Sequence, residues 1–212
     1  VVYDRAGSAV SRLSADQIDW SAATNTRLLH ISGITPALSE SCRDIAEQGL
    51  RRMRLKNRST SFDINYRAKL WTPERAAEIL APLLSYVDIL VCTAADIELL
   101  FGIAAPVEEM IERVRDRFGC HTVVITLAEG GAIGWTESTG LARSGAHAVD
   151  TVDRLGAGDA FDAGLLYGLL NGSDLTHALR CGSALAALSH SESGDITWST
   201  SSEMLALAEA TS

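Results

Sequence analysis

The residues best suited to chemistry lie in one short stretch, where two glycines flank Ala157 and an aspartate follows at position 159. Glycine lets the backbone approach a ligand closely. Apolar residues then recur at helical spacing, which predicts a helix from Gly158 to Leu170. The N–H groups at a helix start lack partners within the helix and carry partial positive charge, so a phosphate is their natural ligand. Asp159 would lie in the first turn of that helix.

Backbone donors beside a carboxylate satisfy two needs of phosphoryl transfer. The donors stabilise charge on the moving phosphoryl group, and the carboxylate aligns the attacking hydroxyl and accepts its proton. The alternative is a plain glycine turn with Asp159 as an ordinary helix cap, and an isolated G-x-G-D pattern favours that alternative.

Strands and helices alternate along the chain, which indicates a parallel sheet covered by helices on both faces. Such sheets bind ligands at the carboxyl ends of their strands. Residues 135–152 are less regular and predict hairpins or loops. The apolar runs predict strands over 27–33 (a buried strand), 61–64, 87–92 and 122–126. Helical spacing and caps predict helices over 40–54, from Thr72 onward, from Glu98 to Phe101, from Pro106 onward, over 158–170 and over 175–189.

Composition excludes several classes of function. The formal net charge of −9 argues against nucleic-acid binding, which requires clustered cations. No stretch is long and apolar enough to cross a bilayer. The four cysteines are widely spaced, with no pairing typical of a zinc site, so reduced thiols in the cytoplasm are the expectation. The five histidines show no paired spacing, and neither metal binding nor catalysis is assigned to them.

The segment from Asp153 to Phe161 resembles the second signature of the ribokinase-like (PfkB) carbohydrate kinases. Within that family the chain is most similar to the 2-keto-3-deoxygluconate kinases. The similarity spans essentially the whole chain, in the family's order. Four further segments carry it: residues 2–9, 61–71, 98–102 and 188–195.

The resemblance implies a three-layer α/β/α ribokinase-like fold with a mostly parallel central sheet, and residues 1–212 as a partial kinase domain. Family members carry roughly a hundred more residues before this point. We therefore expect the first strands of the sheet and most of the lid to be absent. The implied partners are ATP and a small sugar acid, with no nucleic acid or membrane, and with a homo-oligomer through the lid as an option. Mg²⁺ is the implied cofactor, and a monovalent cation is allowed.

The resemblance also implies roles for individual residues. Asp159 would be the catalytic base, and Gly156, Ala157 and Gly158 would form the anion hole. The sugar acid would be held by Tyr3, Arg5, Arg67 and Asp195. The nucleotide would lie near Asn65, Thr126, Gly130, Gly131 and Ser183. Asp96 would act indirectly on the metal.

Each of these residues has an ordinary alternative. Arg5 and Arg67 could form surface ion pairs, Asp195 could be a turn residue, and Ser183 could face the core. The chain also departs from the family pattern: Thr93 to Asp96 stands where an N-x-x-E motif is usual, and Ala128 replaces a usual glycine. The alternatives for the whole chain are another sugar kinase of the family, such as a fructokinase or ribokinase, and a non-catalytic nucleotide-binding remnant.

Overall fold

A computed structural model describes Arg5 and residues 7–210 of the chain. The fold divides into two compact units, the first ending at Val123 and the second beginning at Val124. The described strands form one six-stranded sheet in chain order, and the boundary between the units falls inside the fourth strand. The strands are β1 Leu28–Ser32, β2 Ser59–Asp63, β3 Ile89–Thr93, β4 Thr122–Thr126, β5 Ala132–Thr136 and β6 Gly140–Ser144.

The sheet is mostly parallel, as the alternation of strands and helices predicts. In the first unit β1 pairs with β2 and β2 pairs with β3, both in parallel. In the second unit β5 and β6 form an antiparallel hairpin, which confirms a hairpin within the irregular segment. β4 is buried over its first four residues, as expected for a β-branched strand covered on both faces.

The prediction that the first strand is buried was wrong. β1 is only half-buried, and the His30 side chain is exposed. The physical reason is its position at one edge of the described sheet, where one side of the strand has no neighbouring strand. A cleft of about 240 Å³ lies beside β1, lined by residues that include Trp20, Leu29 and Ile31.

Several helices begin or end at residues whose local signals predict it. Thr72 accepts a hydrogen bond from the Arg75 N–H as the N-cap of its helix, and Pro73 occupies the first helical position. Gly102 ends another helix in the left-handed conformation. The helices are α1 Trp20–Thr24, α2 Ile34–Leu38, α3 Glu40–Leu55, α4 Pro73–Leu84, α5 Ala94–Phe101, α6 Val107–Phe118, α7 Ala157–Leu170, α8 Leu175–His190 and α9 Ser201–Glu209.

Glycines let α7 and α8 pack unusually close in the second unit. A Cβ atom on Gly164 would lie 2.7 Å from the Cys181 carbonyl carbon and 2.9 Å from the Gly182 Cα. A Cβ on Gly168 would lie 2.8 Å from the Ala178 Cα. Backbone therefore meets backbone across this pair, and α7 has little freedom to shift.

The four cysteines are free and buried, and none of them is paired in a disulfide. Burial, assisted by the nearby Asp88 carboxylate, raises the pKa of the Cys120 thiol to about 12. Within the described residues, no helix has the length and apolar character needed to cross a membrane.

Candidate functional site

The glycine loop before α7 has the geometry of an anion-binding helix start. Gly156 is the N-cap of α7, with a left-handed φ of 74°, and its carbonyl accepts the Ala160 N–H at 2.8 Å. The first N–H groups of a helix have no partner within it, so those of Ala157 and Gly158 are directed away from the helix body. This arrangement suits a bound phosphate.

Asp159 lies in the first turn of α7, as predicted, and its side chain is exposed. A side chain in this position is accessible to a ligand at the helix start. The next residue, Ala160, is buried, as is Phe161, so the carboxylate stands at the boundary between the packed helix and solvent.

Asp195 lies beside the glycine loop although 39 positions separate it from Gly156 in the sequence. A Cβ on Gly156 would lie 2.6 Å from the Asp195 carbonyl oxygen, and the left-handed φ disfavours any side chain there as well. The structure thus brings the predicted anion hole and one predicted sugar-binding residue together, through their backbones. Asp195 itself is exposed.

Asp153 has no predicted role, yet it braces this loop. Its carboxylate accepts the N–H groups of Arg154 at 2.7 Å, Leu155 at 3.1 Å and Gly194 at 3.3 Å. The hydrogen bonds from Leu155 and Gly194, followed by that from Arg154, lower the pKa of the Asp153 carboxyl below its usual range. The bond from the Leu155 N–H is an Asx turn, which the local sequence could have indicated. The bond from the Gly194 N–H joins residues far apart in the chain, so no local signal could have indicated it.

The predicted nucleotide residues of the second unit lie on two separate elements. Thr126 ends β4, and Gly130 and Gly131 form and close a 3₁₀ turn after it. Gly131 has a φ of 81°, and a Cβ there would lie 2.8 Å from the Gly145 Cα. Ser183 is buried within α8, which suits the core-facing alternative as well as a contact at the rim of a site.

Ala128, which stands where the family usually has a glycine, has a backbone conformation that favours glycine. Its φ is 50°, in the left-handed region where a Cβ is unfavourable. The alanine side chain therefore adds strain at this position, which glycine would not.

We expect Ala128→Gly to stabilise the protein by about 1 kcal/mol, because glycine adopts the left-handed conformation without strain. Urea unfolding of both proteins measures the difference. Ala206→Gly, at an exposed position inside helix α9, is the control and should destabilise the protein. An Ala128→Gly protein that loses stability as the control does would contradict the strain.

In the first unit, Asn65 follows the carboxyl end of β2. Its N–H donates to the Asp63 carboxylate at 3.2 Å, and its side-chain amide donates to the Ser32 hydroxyl at 3.2 Å. Its φ of 41° lies in the left-handed region that asparagine tolerates. The amide thus joins the ends of two parallel strands, where α/β sheets bind ligands.

Arg67 and Asp96 are brought together in the same unit. Asp96 lies in the first turn of helix α5, where the Thr93 hydroxyl, as the N-cap, accepts its N–H at 3.0 Å. Burial raises the pKa of the Asp96 carboxyl above its ordinary value, while hydrogen bonds from Thr93 and the Tyr66 N–H and the charge of Arg67 oppose that rise. Thr93, which stands where the family usually has asparagine, is therefore the N-cap of α5 in this chain.

Asp96→Asn is expected to make the protein more stable at neutral pH relative to the natural protein. Because the folded-state pKa is raised, folding favours the protonated acid, and stability is lost as pH rises through that pKa. The gain from the variant should therefore grow as the pH rises from about 4, the ordinary pKa of an unfolded aspartate, towards neutral pH. Urea unfolding across that range measures it.

Glu203→Gln is the control of opposite sign. The Thr200 N–H, followed by the Thr200 hydroxyl, lowers the pKa of the Glu203 carboxyl, so this carboxylate stabilises the fold at pH values above its unfolded pKa. Its replacement should cost more stability as pH rises. The same trend for both variants would contradict the raised pKa of Asp96.

The remaining predicted residues lie near the start of the chain. Tyr3 lies outside the described residues. Arg5 is half-buried in irregular chain, and its carbonyl accepts the Ser8 N–H at 3.3 Å. Arg67 is exposed, and its guanidinium donates to the Tyr66 carbonyl at 3.3 Å. Contact of these residues with a sugar acid stays a prediction.

Known proteins resemble this chain over nearly all of its length. A family model described as pfkB family carbohydrate kinase matches residues 1–202. The 2-dehydro-3-deoxygalactonokinase of Haloferax volcanii is 34% identical over 96% of this chain. The crystal structure of 2-dehydro-3-deoxygluconokinase from Thermotoga maritima superposes with a TM-score of 0.89 at 32% identity, covering 98% of this chain and 68% of that one.

A third likeness is to a solved complex. The aminoimidazole riboside kinase of Salmonella enterica, with aminoimidazole riboside and an ATP analog, has a TM-score of 0.74 and 28% identity, covering 85% of this chain and 62% of that one.

The predicted three-layer α/β/α class with a mostly parallel sheet is confirmed. The chain spans 64% of the length of the Haloferax volcanii relative.

Proposed function

Because the chain belongs to the pfkB family of carbohydrate kinases, we propose that it serves an ATP-dependent phosphoryl transfer to a hydroxyl of a sugar acid. The resemblance seen in the segment from Asp153 to Phe161 is confirmed at the level of the family. The single observation that supports the activity is the start of α7, where a glycine loop, an exposed Asp159 and the backbone of Asp195 adjoin one another.

The proposed mechanism divides the work between backbone and side chain. The N–H groups of Gly156, Ala157 and Gly158 donate to oxygens of the phosphoryl group and stabilise the charge that develops there. Asp159 accepts a hydrogen bond from the attacking hydroxyl, orients it and takes its proton as the new P–O bond forms and the bond between the γ-phosphorus and ADP breaks, with ADP as the leaving group. If that transition state is loose, proton transfer comes late and orientation is the larger contribution.

We propose that the sugar acid is held by cations and hydrogen bonds from Tyr3, Arg5, Arg67 and Asp195. An arginine binds a carboxylate with two parallel hydrogen bonds, and a protein of net charge −9 needs such local cations for an acidic substrate. The nucleotide is assigned to Asn65, Thr126, Gly130, Gly131 and Ser183. The left-handed glycine at position 131 supports a close backbone approach there.

The residues present fit a magnesium ion that is held mainly by phosphates. Mg²⁺ keeps several waters and takes one or two carboxylates beside its phosphate ligands. Asp96 offers one half-buried carboxylate at the start of α5, which fits an indirect role through water. When bound, the ion would neutralise phosphate charge, and a monovalent cation remains part of the proposal without an assigned residue.

The proposed substrate is 2-keto-3-deoxygluconate, phosphorylated at its 6-hydroxyl. The named relatives act on the gluconate and galactonate forms of one class of sugar acid, which supports the class more strongly than the individual sugar. Free, buried cysteines support a reducing compartment, and we propose the cytoplasm.

A coupled assay of ADP release tests the proposal, with the protein expressed from its complete reading frame. We expect the highest kcat/KM with 2-keto-3-deoxygluconate, a lower value with the galactonate form, and little turnover of ribose, fructose or aminoimidazole riboside. Equal turnover of all these sugars would overturn the substrate, and no ADP release with any of them would overturn the kinase.

A further inference from the structure

We propose that Asp153 is a positioning residue that holds the phosphate-binding loop and the Asp195 segment in register, so that phosphoryl donor and acceptor meet. This inference rests on the proposed function. Asp153 touches neither reacting group in the mechanism above. It acts through the two backbone segments that its carboxylate joins.

Both oxygens of the Asp153 carboxylate accept hydrogen bonds from backbone N–H groups. One oxygen accepts the N–H groups of Arg154 and Leu155, and the other accepts the N–H of Gly194. Charge-assisted bonds of this kind are about twice as strong as neutral ones. One side chain therefore fixes both the residue before the glycine loop and the residue before Asp195.

The other side of Asp153 is anchored to the end of α8. The His190 carbonyl accepts the N–H groups of Val152 at 2.8 Å and Asp153 at 3.3 Å, and the His190 ring Nδ1 lies 3.1 Å from the Asp153 carbonyl oxygen. The backbone of Asp153 is thus held in place, because α8 is itself packed tightly on α7. The fold therefore fixes the distance from the Asp153 carboxylate to the Gly194 N–H.

The Gly156 backbone supplies a second link between the same two segments. It lies so close to Asp195 that a Cβ would be 2.6 Å from the Asp195 carbonyl oxygen. This contact resists compression but not separation, since it is a steric limit. The bond from the Gly194 N–H to Asp153 opposes separation. Together they set the distance between the anion hole and Asp195, and a shift of about 1 Å in such a distance can cost a hundredfold in rate.

Two variants are designed to remove the hydrogen bond from the Gly194 N–H while keeping an acceptor for the local turn. Asp153→Asn leaves one oxygen acceptor and puts an NH₂ group on the other side of the side chain. Asp153→Ser keeps an acceptor for the Leu155 N–H, as serine turns do, but is too short for Gly194. Both should lower kcat by about tenfold to about a hundredfold while changing KM for either substrate by less than about threefold.

Glu192→Gln is the matched control in the same loop. The Glu192 carboxylate accepts the Trp198 N–H at 2.7 Å and the Ser199 hydroxyl at 2.9 Å, beyond Asp195 and away from the glycine loop. This variant should leave kcat within about threefold of the natural protein, because the link between loop and Asp195 is untouched. If Glu192→Gln lost as much kcat, the loss of any hydrogen bond in this loop would lower the rate. Asp153 would then have no specific positioning role, and the proposal would be overturned.

Amide hydrogen exchange gives a readout that does not depend on activity. The Gly194 amide should exchange faster in both Asp153 variants and at an unchanged rate in Glu192→Gln, even where a variant is less stable. Faster exchange with an unchanged kcat would overturn the positioning role. A natural protein that turns over no sugar at all would instead show that the proposed function has failed, and the inference with it.

Discussion

Asp159→Asn should lower kcat by about a hundredfold or more, which corresponds to about 2.7 kcal/mol of transition-state stabilisation. Asparagine has the size of aspartate and still accepts one hydrogen bond, but it takes no proton from the attacking hydroxyl. Asp159 is exposed in the first turn of α7, so the substitution leaves the packing of that helix intact. Steady-state rates of ADP release with the sugar acid measure the loss.

The nucleotide side of the site should be unchanged in the same variant. The phosphate donors are backbone N–H groups of the glycine loop, which the substitution does not remove. Titration with a non-hydrolysable ATP analogue should therefore give a Kd within about threefold of the natural value. Glu74→Gln, which removes an exposed first-turn carboxylate from α4, controls for the helix dipole and should leave kcat unchanged. Near-normal turnover by Asp159→Asn would refute its assignment as the base.

Gly164→Ala should destabilise the protein strongly for the addition of a single methyl group. The new Cβ would meet the Cys181 carbonyl carbon at 2.7 Å and the Gly182 Cα at 2.9 Å, and both are backbone atoms that cannot rotate away. Overpacking of this kind costs about 2 to 3 kcal/mol. For a chain of this length that is a fall in Tm of about 5 to 10 °C.

Gly158→Ala is the matched control in the same helix. No atom lies within 4 Å of a Cβ built at Gly158, and alanine is the better helix former. We expect an unchanged Tm or a rise that corresponds to less than about 1 kcal/mol. Thermal unfolding followed by circular dichroism compares the two proteins, and equal losses would mean that helix packing does not distinguish these glycines.

The sequence predicts those parts of the fold that have local signals. The start of α4 follows from the cap at Thr72, and the end of α5 follows from Gly102. Short α1 was missed because five residues are too few to show a helical period. Helix α9 was missed although Thr200 and Glu203 form a capping box, a signal that is visible in the sequence.

In the candidate site, too, features with a local sequence signal could be predicted and features that depend on tertiary contacts could not. The position of Asp159 at a helix start could be predicted, because glycines and an apolar stripe adjoin it in the chain. The approach of Gly156 to Asp195 and the reach of Asp153 to Gly194 could not, because each depends on how α8 returns the chain to the glycine loop. Ala128 illustrates a third case: the departure from glycine is visible in the sequence, but only the structure shows that Ala128 has a left-handed φ of 50°.

The apolar outer strand has a practical consequence for work with the purified chain. Strand β1 consists of Leu28 to Ser32, contains no lysine or proline, and adjoins an apolar cleft at the rim of the described sheet. Lysine, proline and bulges are the features by which proteins prevent such a rim from templating intermolecular strands. Concentrated solutions should therefore form oligomers and then precipitate by strand addition, and His30→Lys, at a side chain that is exposed, is the simplest change to improve solubility.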